Sequence, residues 1–317
     1  MQGSAGTETR ELERTFEEYR RDLTGYCYRM LASPFEAEDA VQETFIRAWR
    51  AYDRFEGRAA LKSWLYRIAT NVCLDMLGSK ERRIMPMDLG PAQEPVAENL
   101  NVRDEATWIQ PIPDPADVAV EHDTIRLAFI AALQHLPPRQ RAALILCEVL
   151  RWQASEVAEL LDTTTASVNS ALQRARATID DAKIGDGPPA LDDADRALLD
   201  RYVDAFQRYD IGALTALIRE DASQSMPPFD MWLEGRDDIF TWWFGPGIGC
   251  KGSKVFPVGF ANGSPAFAQY KPSEGGGYEP WALQVLELSE GRIGELTFFL
   301  DTATLFPLFG MPLELDA

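Results

Sequence analysis

Residues 84–119 constrain this chain more than any other stretch. They hold Pro86, Pro91, Pro95, Pro111, Pro113 and Pro115, with one basic residue, Arg103, against seven acidic ones. Proline removes a backbone donor and fixes φ, so neither a helix interior nor a central strand can run through this segment. The composition predicts an extended acidic linker. Text with helical periodicity stands on both sides of it, at 11–83 and 120–184. The chain therefore cannot form one continuous helical bundle. Trp108 is out of place in a free tether, and its bulk predicts that the linker docks, most simply on the C-terminal part.

The chain has 317 residues, 46% of them hydrophobic. That is room for two or three domains, each with a core. No apolar run approaches the roughly twenty residues of a membrane span, and the N-terminus lacks the apolar centre of a signal peptide. A cytoplasmic protein without membrane contacts is expected. Cys27, Cys73, Cys147 and Cys250 form no CxxC pair. They read as separate buried thiols, with no zinc, disulfide framework or other cofactor expected.

The net charge of −19 argues against a protein that coats nucleic acid. Its distribution refines this. Residues 1–83 balance, 120–184 come to −1, 84–119 to −6 and 185–317 to −12. A DNA-binding role for the two helical blocks stays open, but bulk charge cannot carry it.

In the first block Phe16, Tyr19, Leu23, Tyr26 and Met30 fit one amphipathic helix, which Ser33-Pro34 ends. Over 36–50, Val41, Phe45, Ala48 and Trp49 form an apolar stripe, while Asp39, Gln42 and Glu43 lie on another face. A turn at Gly57 precedes a helix from about Leu61 to Leu77. Its buried stripe is Leu61, Trp64, Leu65, Ile68 and Val72, and Arg67, Asn71 and Asp75 share a polar face. The basic cluster Lys80, Arg82, Arg83 follows. In the second block, Leu136-Pro137-Pro138 leads to an apolar helix over 141–149. A short helix at 154–161, a turn at Asp162-Thr163-Thr164 and a second helix from Thr165 to Ile179 then make a helix-turn-helix pattern. The second helix exposes Thr165, Ser167, Asn169, Ser170, Gln173, Arg174 and Arg176. These are small donors and acceptors suited to base edges, with arginines for phosphates.

A second linker is expected at 185–191. Beyond it, helices at 192–209 and 211–219 precede strand candidates at 255–260, 266–270, 281–288 and 293–300, separated by glycine-rich turns. That order predicts an α+β domain over 192–317. Trp232, Trp242, Trp243 and Phe244 either fill its core or line a pocket.

Read together, the two helical blocks resemble bacterial extracytoplasmic-function sigma factors. The stretch from Glu38 to Trp49 looks like the region-two helix of that family, and the helix from Trp64 to Asp75 with its basic end looks like the segment after it. Leu136-Pro137-Pro138-Arg139-Gln140-Arg141 and the following helix-turn-helix are similar to region four. The resemblance covers roughly residues 11–180. It implies that Glu38, Asp39, Gln42 and Glu43 dock on core RNA polymerase. It further implies that Arg67, Asn71, Asp75, Lys80, Arg82 and Arg83 open and read the promoter element near −10 as single-stranded bases, and that Thr165–Arg176 reads duplex DNA near −35. The linker would thread toward the polymerase active site. Two departures stand out. Asn169 and Ala171 replace a Lys and an Arg common in the family, which lowers the expected phosphate contacts and salt dependence, and Asp162 replaces a Gly.

Residues 192–317 resemble the SnoaL-like domains fused to some of these sigma factors, a cone-shaped α+β fold shared with polyketide cyclases and ketosteroid isomerases. The whole chain then reads as multi-domain: two all-α sigma domains, with boundaries at 11–83 and 120–184, and the α+β domain. Enzymes of the cone fold need an acid or base in an apolar pocket. Asp301 is the best candidate base, with Asp230 and Tyr270 behind it, and none aligns to a catalytic motif. The expectation is therefore no catalytic residue and a regulatory domain, one that holds the sigma domains in an inactive arrangement, with the tail Phe306–Pro312 as one contact. The competing classes are a cyclase- or isomerase-type enzyme with a DNA-binding appendage and a ligand-sensing helix-turn-helix regulator.

Overall fold

The computed structural model describes residues 3–55, 60–78, 81–103, 107–114, 126–181, 191–273 and 275–315. Gly57, Lys80, His122 and most of the expected 185–191 linker lie outside the described residues. The chain divides into two compact units. The first contains residues up to Arg83, Ile109–Pro111 and Leu127–Gly185. The second contains Ile84–Trp108, Ile112–Arg126 and everything from Asp186 on.

The first unit is all helix. It runs α1 (Gly3–Leu31), α2 (Pro34–Ala51), α3 (Leu61–Leu77), α4 (Leu127–Gln134), α5 (Pro138–Leu144), α6 (Ala154–Leu160) and α7 (Thr165–Asp181). Ser33 caps α2, its hydroxyl accepting from the Glu36 N–H, and Pro34 occupies the first turn, where its missing donor costs nothing. Phe16, Leu23, Tyr26 and Met30 of α1 are all buried. The expected stripe of α2 needs correction. Val41 and Ala48 are buried, but Trp49 is 41% exposed and Phe45 only half-buried. The buried face is Ala37, Ala40, Val41, Thr44 and Ala48. These small side chains let α1 and α2 approach closely, so the large rings are displaced to the rim. On α3, Leu65, Tyr66, Ala69, Thr70, Val72 and Cys73 are buried, a wider face than the expected stripe, of which Leu61, Trp64 and Ile68 are only half-buried. The extra width has a cause: Tyr66 meets Tyr26 of α1 at 5.3 Å and Trp152 of the second block at 5.2 Å. A π-helical turn at Ile145–Val149 continues α5.

The second unit is α+β. Helices α8 (Asp193–Arg208) and α9 (Ile211–Leu217) lead into β1 (Ile218–Ser225) and β2 (Trp232–Glu234). Then follow α10 (Arg236–Phe244), β3 (Lys254–Ala261), β4 (Ser264–Pro272), β5 (Tyr278–Ser289), β6 (Arg292–Phe299) and α11 (Thr302–Leu308). The six strands form one sheet in the order β2-β1-β6-β5-β4-β3, antiparallel except for the β1–β6 pair. Tyr202 and Phe206 of α8, Trp243 of α10 and Phe267, Leu286 and Phe298 of the sheet share one core. Strands β3 to β6 overlap the four strand candidates set off by glycine-rich turns. Strand β1 was invisible to that reading because Ile218–Ser225 carries Arg219, Glu220 and Asp221 in its outer half. The tail also differs from expectation. Phe306 is fully buried against Tyr270 at 5.1 Å, and the Tyr270 hydroxyl donates to the Pro312 carbonyl at 2.8 Å. The tail thus closes its own domain's sheet.

The linker is not a free tether. The Trp232 indole N–H donates to the Gly90 carbonyl at 2.9 Å, Gln93 N to Trp232 O at 3.0 Å, and Asp230 N to Asn101 O at 3.0 Å. Arg103 pairs with Asp230 at 2.7 Å. All of these belong to the second unit. Trp108 is half-buried, its backbone bridged to Ile84. No described helix is long and apolar enough to cross a membrane.

Candidate functional site

The candidate residues on α2 share one exposed face. Glu38, Asp39 and Gln42 are exposed and Glu43 is half-buried, opposite the small residues that pack on α1. Glu38 pairs with Arg20 of α1 at 2.6 Å. Glu43 pairs with Arg47 at 2.7 Å, and Arg47 reaches on to Asp75 of α3 at 2.9 Å. The acidic face is therefore held in register by two arginines and does not wave freely. Beside it, Phe16, Phe45, Ile46 and Trp49 line a shallow apolar groove of about 350 Å³, with Gln42 at its edge. The helical spacing alone predicts Phe45 and Trp49 in the core, away from Gln42. Displacement of the rings to the rim instead makes them part of the same surface.

On α3, Arg67, Asn71 and Asp75 are exposed in a row of successive turns, as their spacing of four requires. They are not all available. Arg67 donates to the Glu159 carbonyl of α6 at 2.8 Å. Arg82 meets the His135 ring at 2.7 Å, and Arg83 pairs with Glu36 at 3.0 Å with both side chains largely buried. Lys80 lies outside the described residues. The face that resembles a promoter-opening surface is thus engaged by the second helical block.

Arg141 makes that engagement durable. Its guanidinium is 3% exposed and donates to the Met30 carbonyl of α1, to Gln134 Oε1 at 2.5 Å, and to the Gln134 and Leu136 carbonyls at 3.1 and 3.2 Å. Burial pushes it down to about 10. Four oxygens and no anion take the two terminal nitrogens of the guanidinium, while its buried Nε has no partner among the described residues; each of those oxygens would be stranded without it. In the sequence Arg141 stands only as the last residue of the Leu136–Arg141 motif. Its role had no sequence signal, since the acceptors are backbone groups. Gln110 is a comparable case. Ser33 Oγ donates to its Oε1 at 2.6 Å, the Tyr28 hydroxyl to its carbonyl at 2.9 Å, and its N–H reaches Ala32 O at 3.1 Å. One linker residue is therefore stitched to the cap of α2.

Helix α7 buries Val168, Leu172 and Ala175 and exposes Thr165, Ser167, Asn169, Ser170, Gln173, Arg174 and Arg176. Thr164 caps it, accepting from Ser167 N at 3.1 Å. Asp162, in the turn before it, has φ of 52°. That left-handed conformation is where glycine is usual and Asp is tolerated, so the departure noted in the sequence costs little. Arg176 is paired with Glu148, while Arg174 has no ion-pair partner among the described residues.

In the second unit the candidate bases do not converge. Asp301 is exposed and accepts from Thr304 Oγ1 at 2.6 Å at the start of α11. Asp230 is buried against Arg103, and Tyr270 holds the tail. None of the three lines the cavity of about 240 Å³ that Trp242 and Trp243 help to enclose.

Comparison with known proteins places both helical blocks in one family. A family model described as Sigma-70 region 2 matches residues 15–83, and one described as Sigma-70, region 4 matches 126–179. ECF RNA polymerase sigma factor SigG of Mycobacterium tuberculosis is 42% identical over 314 residues, covering 93% of this chain and 82% of that protein. ECF RNA polymerase sigma factor SigW of Bacillus subtilis is 30% identical over 159 residues, half of this chain and 81% of its own. Among solved structures, the extracytoplasmic function sigma factor SigJ of Mycobacterium tuberculosis aligns with a TM-score of 0.62 at 18% identity, covering 95% of this chain and 99% of that one. Its fold therefore includes the α+β part.

Proposed function

The chain belongs to the extracytoplasmic-function sigma factors, proteins of transcription initiation, and on that premise we propose that its first unit is a self-locked promoter reader. Glu38, Asp39, Gln42 and Glu43 dock on core RNA polymerase. Arg67, Asn71, Asp75, Lys80, Arg82 and Arg83 open and read the element near −10. Thr165, Ser167, Asn169, Ser170, Gln173, Arg174 and Arg176 read the element near −35. The α+β domain regulates this activity and performs no chemistry.

One observation supports the lock: Arg67 and Arg82, cations of the −10 surface, are bonded to Glu159 and His135 of region four. An arginine cannot hold a protein carbonyl and a phosphate with the same donors. Reading two separated promoter elements requires regions two and four to part, and parting breaks these bonds. Residues 90–103, which must move with that separation, are bonded to Trp232 and Asp230 of the α+β domain. The domain thereby restrains the linker and favours the locked form. Holding a tethered segment in this way needs only modest affinity, because the effective concentration is high.

Run-off transcription with purified core polymerase tests both parts. Full-length protein should initiate weakly, and a form ending near residue 190 should initiate several-fold more strongly from the same promoter. A truncated form that stays folded yet only loses activity would overturn the autoinhibitory reading. Failure of both forms at every promoter would overturn the assigned surfaces.

A further inference from the structure

Cys27 and Cys73 are far apart in the sequence but meet inside the first unit, one on α1 and the other on α3. Both are free thiols and 0% exposed. The Cys27 thiol is hydrogen-bonded to the Cys73 side chain, and that bond, together with burial, holds it well above the usual thiol range. Neighbouring contacts fix how the two helices approach at this level. Tyr26, beside Cys27, shares a hydroxyl–hydroxyl bond of 2.7 Å with Thr70, three residues before Cys73. Residues three apart lie on the same face of a helix, so that bond holds Thr70 and Cys73 toward α1 together. One turn further back on α3, Tyr66 meets the Tyr26 ring at 5.3 Å.

Two features make this pair more than two buried side chains. The first is the contact itself. Ordinary disulfides join Cβ atoms about 3.5–4.5 Å apart, a spacing that hydrogen-bonded thiols already approach. The second is a cation. The Arg141 guanidinium, itself 3% exposed, interacts electrostatically with Cys73, and its Nε has no hydrogen-bond partner among the described residues. Negative charge gathering on the Cys73 sulfur would face that guanidinium, the kind of setting in which a thiol attacks. Cys147 and Cys250 are half-buried on other elements and provide an internal reference.

We propose that Cys27 and Cys73 form a redox site, which a small hydroperoxide converts into a reversible disulfide that staples α1 to α3. With hydrogen peroxide, the Cys73 sulfur gives up its proton and attacks one peroxide oxygen. The O–O bond breaks, a sulfenic acid forms, and the departing oxygen leaves as water with the proton from Cys73. The Cys27 sulfur then attacks the sulfenyl sulfur. The S–S bond forms, the S–O bond breaks, and the leaving hydroxide takes the Cys27 proton as a second water. Two electrons pass from the thiols to the peroxide. Burial selects the oxidant, because hydrogen peroxide is small and uncharged and a bulky disulfide reagent is neither. Burial also makes the reaction wait on local opening of α1 against α3. The resulting link spans α2 and holds the three helices of region two in one arrangement. The site does not depend on which surfaces of the first unit meet polymerase or DNA.

The test treats full-length protein with hydrogen peroxide, blocks the remaining thiols in denaturant and maps disulfides by mass spectrometry. A Cys27–Cys73 link is expected from the folded protein, with Cys147 and Cys250 outside it, and dithiothreitol should remove it. The linked protein should melt several degrees above the reduced one, because the staple constrains the unfolded chain. Cys27→Ala should leave Cys73 as a sulfenic acid that dimedone, added with the denaturant, traps. Cys73→Ala should give less of that adduct at Cys27, by about tenfold, since Cys27 lacks the facing cation. Melting scans check that both variants fold, and disulfide mapping of the unsubstituted protein decides the site should either fail. Cys27 and Cys73 both still free once Cys147 or Cys250 has oxidised, or a link that forms only in urea, would overturn the site. Dimedone found on Cys27 rather than Cys73 would overturn the assigned roles, and a linked protein that melts lower than the reduced one would overturn the staple.

Discussion

Arg141 and Glu295 show how far single residues depend on their surroundings. Arg141→Ala would strand the carbonyls of Met30, Gln134 and Leu136 in the core of the first unit. The expected loss is about 3–5 kcal/mol, read as a lower urea midpoint for the helical unit. Glu295 faces Glu287 directly in the β5–β6 register. Burial, and then the Glu287 carboxylate, push Glu295 up to about 7, while Arg126 partly offsets them. A carboxyl raised from its usual 4.5 contributes stability that is complete below that value and is lost as pH rises through about 7. The α+β domain should therefore melt at a lower temperature at pH 8 than at pH 5. Glu295→Gln should remove this slope and stabilise the domain at pH 8 by on the order of 1–3 kcal/mol. Neither residue could be picked out from sequence. Arg141 sits among alanines and leucines in a helix, and Glu295 in the more polar first half of a strand. Their partners lie on other elements.

Among the elements, α7 and α2 carry the most direct tests. Asn169→Ala should cost about 1–3 kcal/mol of binding at the −35 element and relax specificity at one base position. Arg174→Ala should weaken binding to all sequences alike and reduce the salt slope by about one, since its guanidinium is uncommitted. Arg176 should contribute less until its pair with Glu148 breaks. Both effects are measurable by fluorescence anisotropy on duplexes across a salt series. On α2, Asp39→Arg should abolish core polymerase binding in a pull-down and leave the thermal melt unchanged, because the side chain is exposed and outside the packed face. These helices were legible because their periodicity and end signals are local. Ser33-Pro34 marks the start of α2, and Thr164 caps α7. The side each ring faces was less legible. Val41, Phe45 and Trp49 share a spacing, but only Val41 is buried, and Phe45 meets Phe16 of α1 at 5.7 Å from the rim, because the small residues beside Val41 set how closely α1 approaches.

At the scale of the molecule, the contact of Trp152 with Tyr66 separates closure from recognition, since neither ring belongs to a DNA-reading set. Trp152→Ala should loosen region two from region four and raise promoter binding by up to about tenfold, roughly 1.4 kcal/mol. Arg67→Ala, which removes both a closing bond and a DNA contact, should instead lower transcription.

The sequence by itself determined the parts and their order. It specified two helical blocks split by prolines, a helix-turn-helix with its cap and turn, and an α+β domain whose strands β3 to β6 lie between glycine-rich turns. Those features depend on neighbours within a few residues, where periodicity, capping and turn chemistry act. Tertiary structure decided which surfaces are engaged: that Arg67 and Arg82 hold region four, that the acidic linker lies along Trp232 and Asp230, and that Phe306 closes its own sheet. Each of these rests on a backbone carbonyl, an aromatic ring or a buried pair brought from far along the chain. No local pattern encodes such a partner, because an exposed arginine reads the same in sequence whether it meets a phosphate or a carbonyl of its own fold.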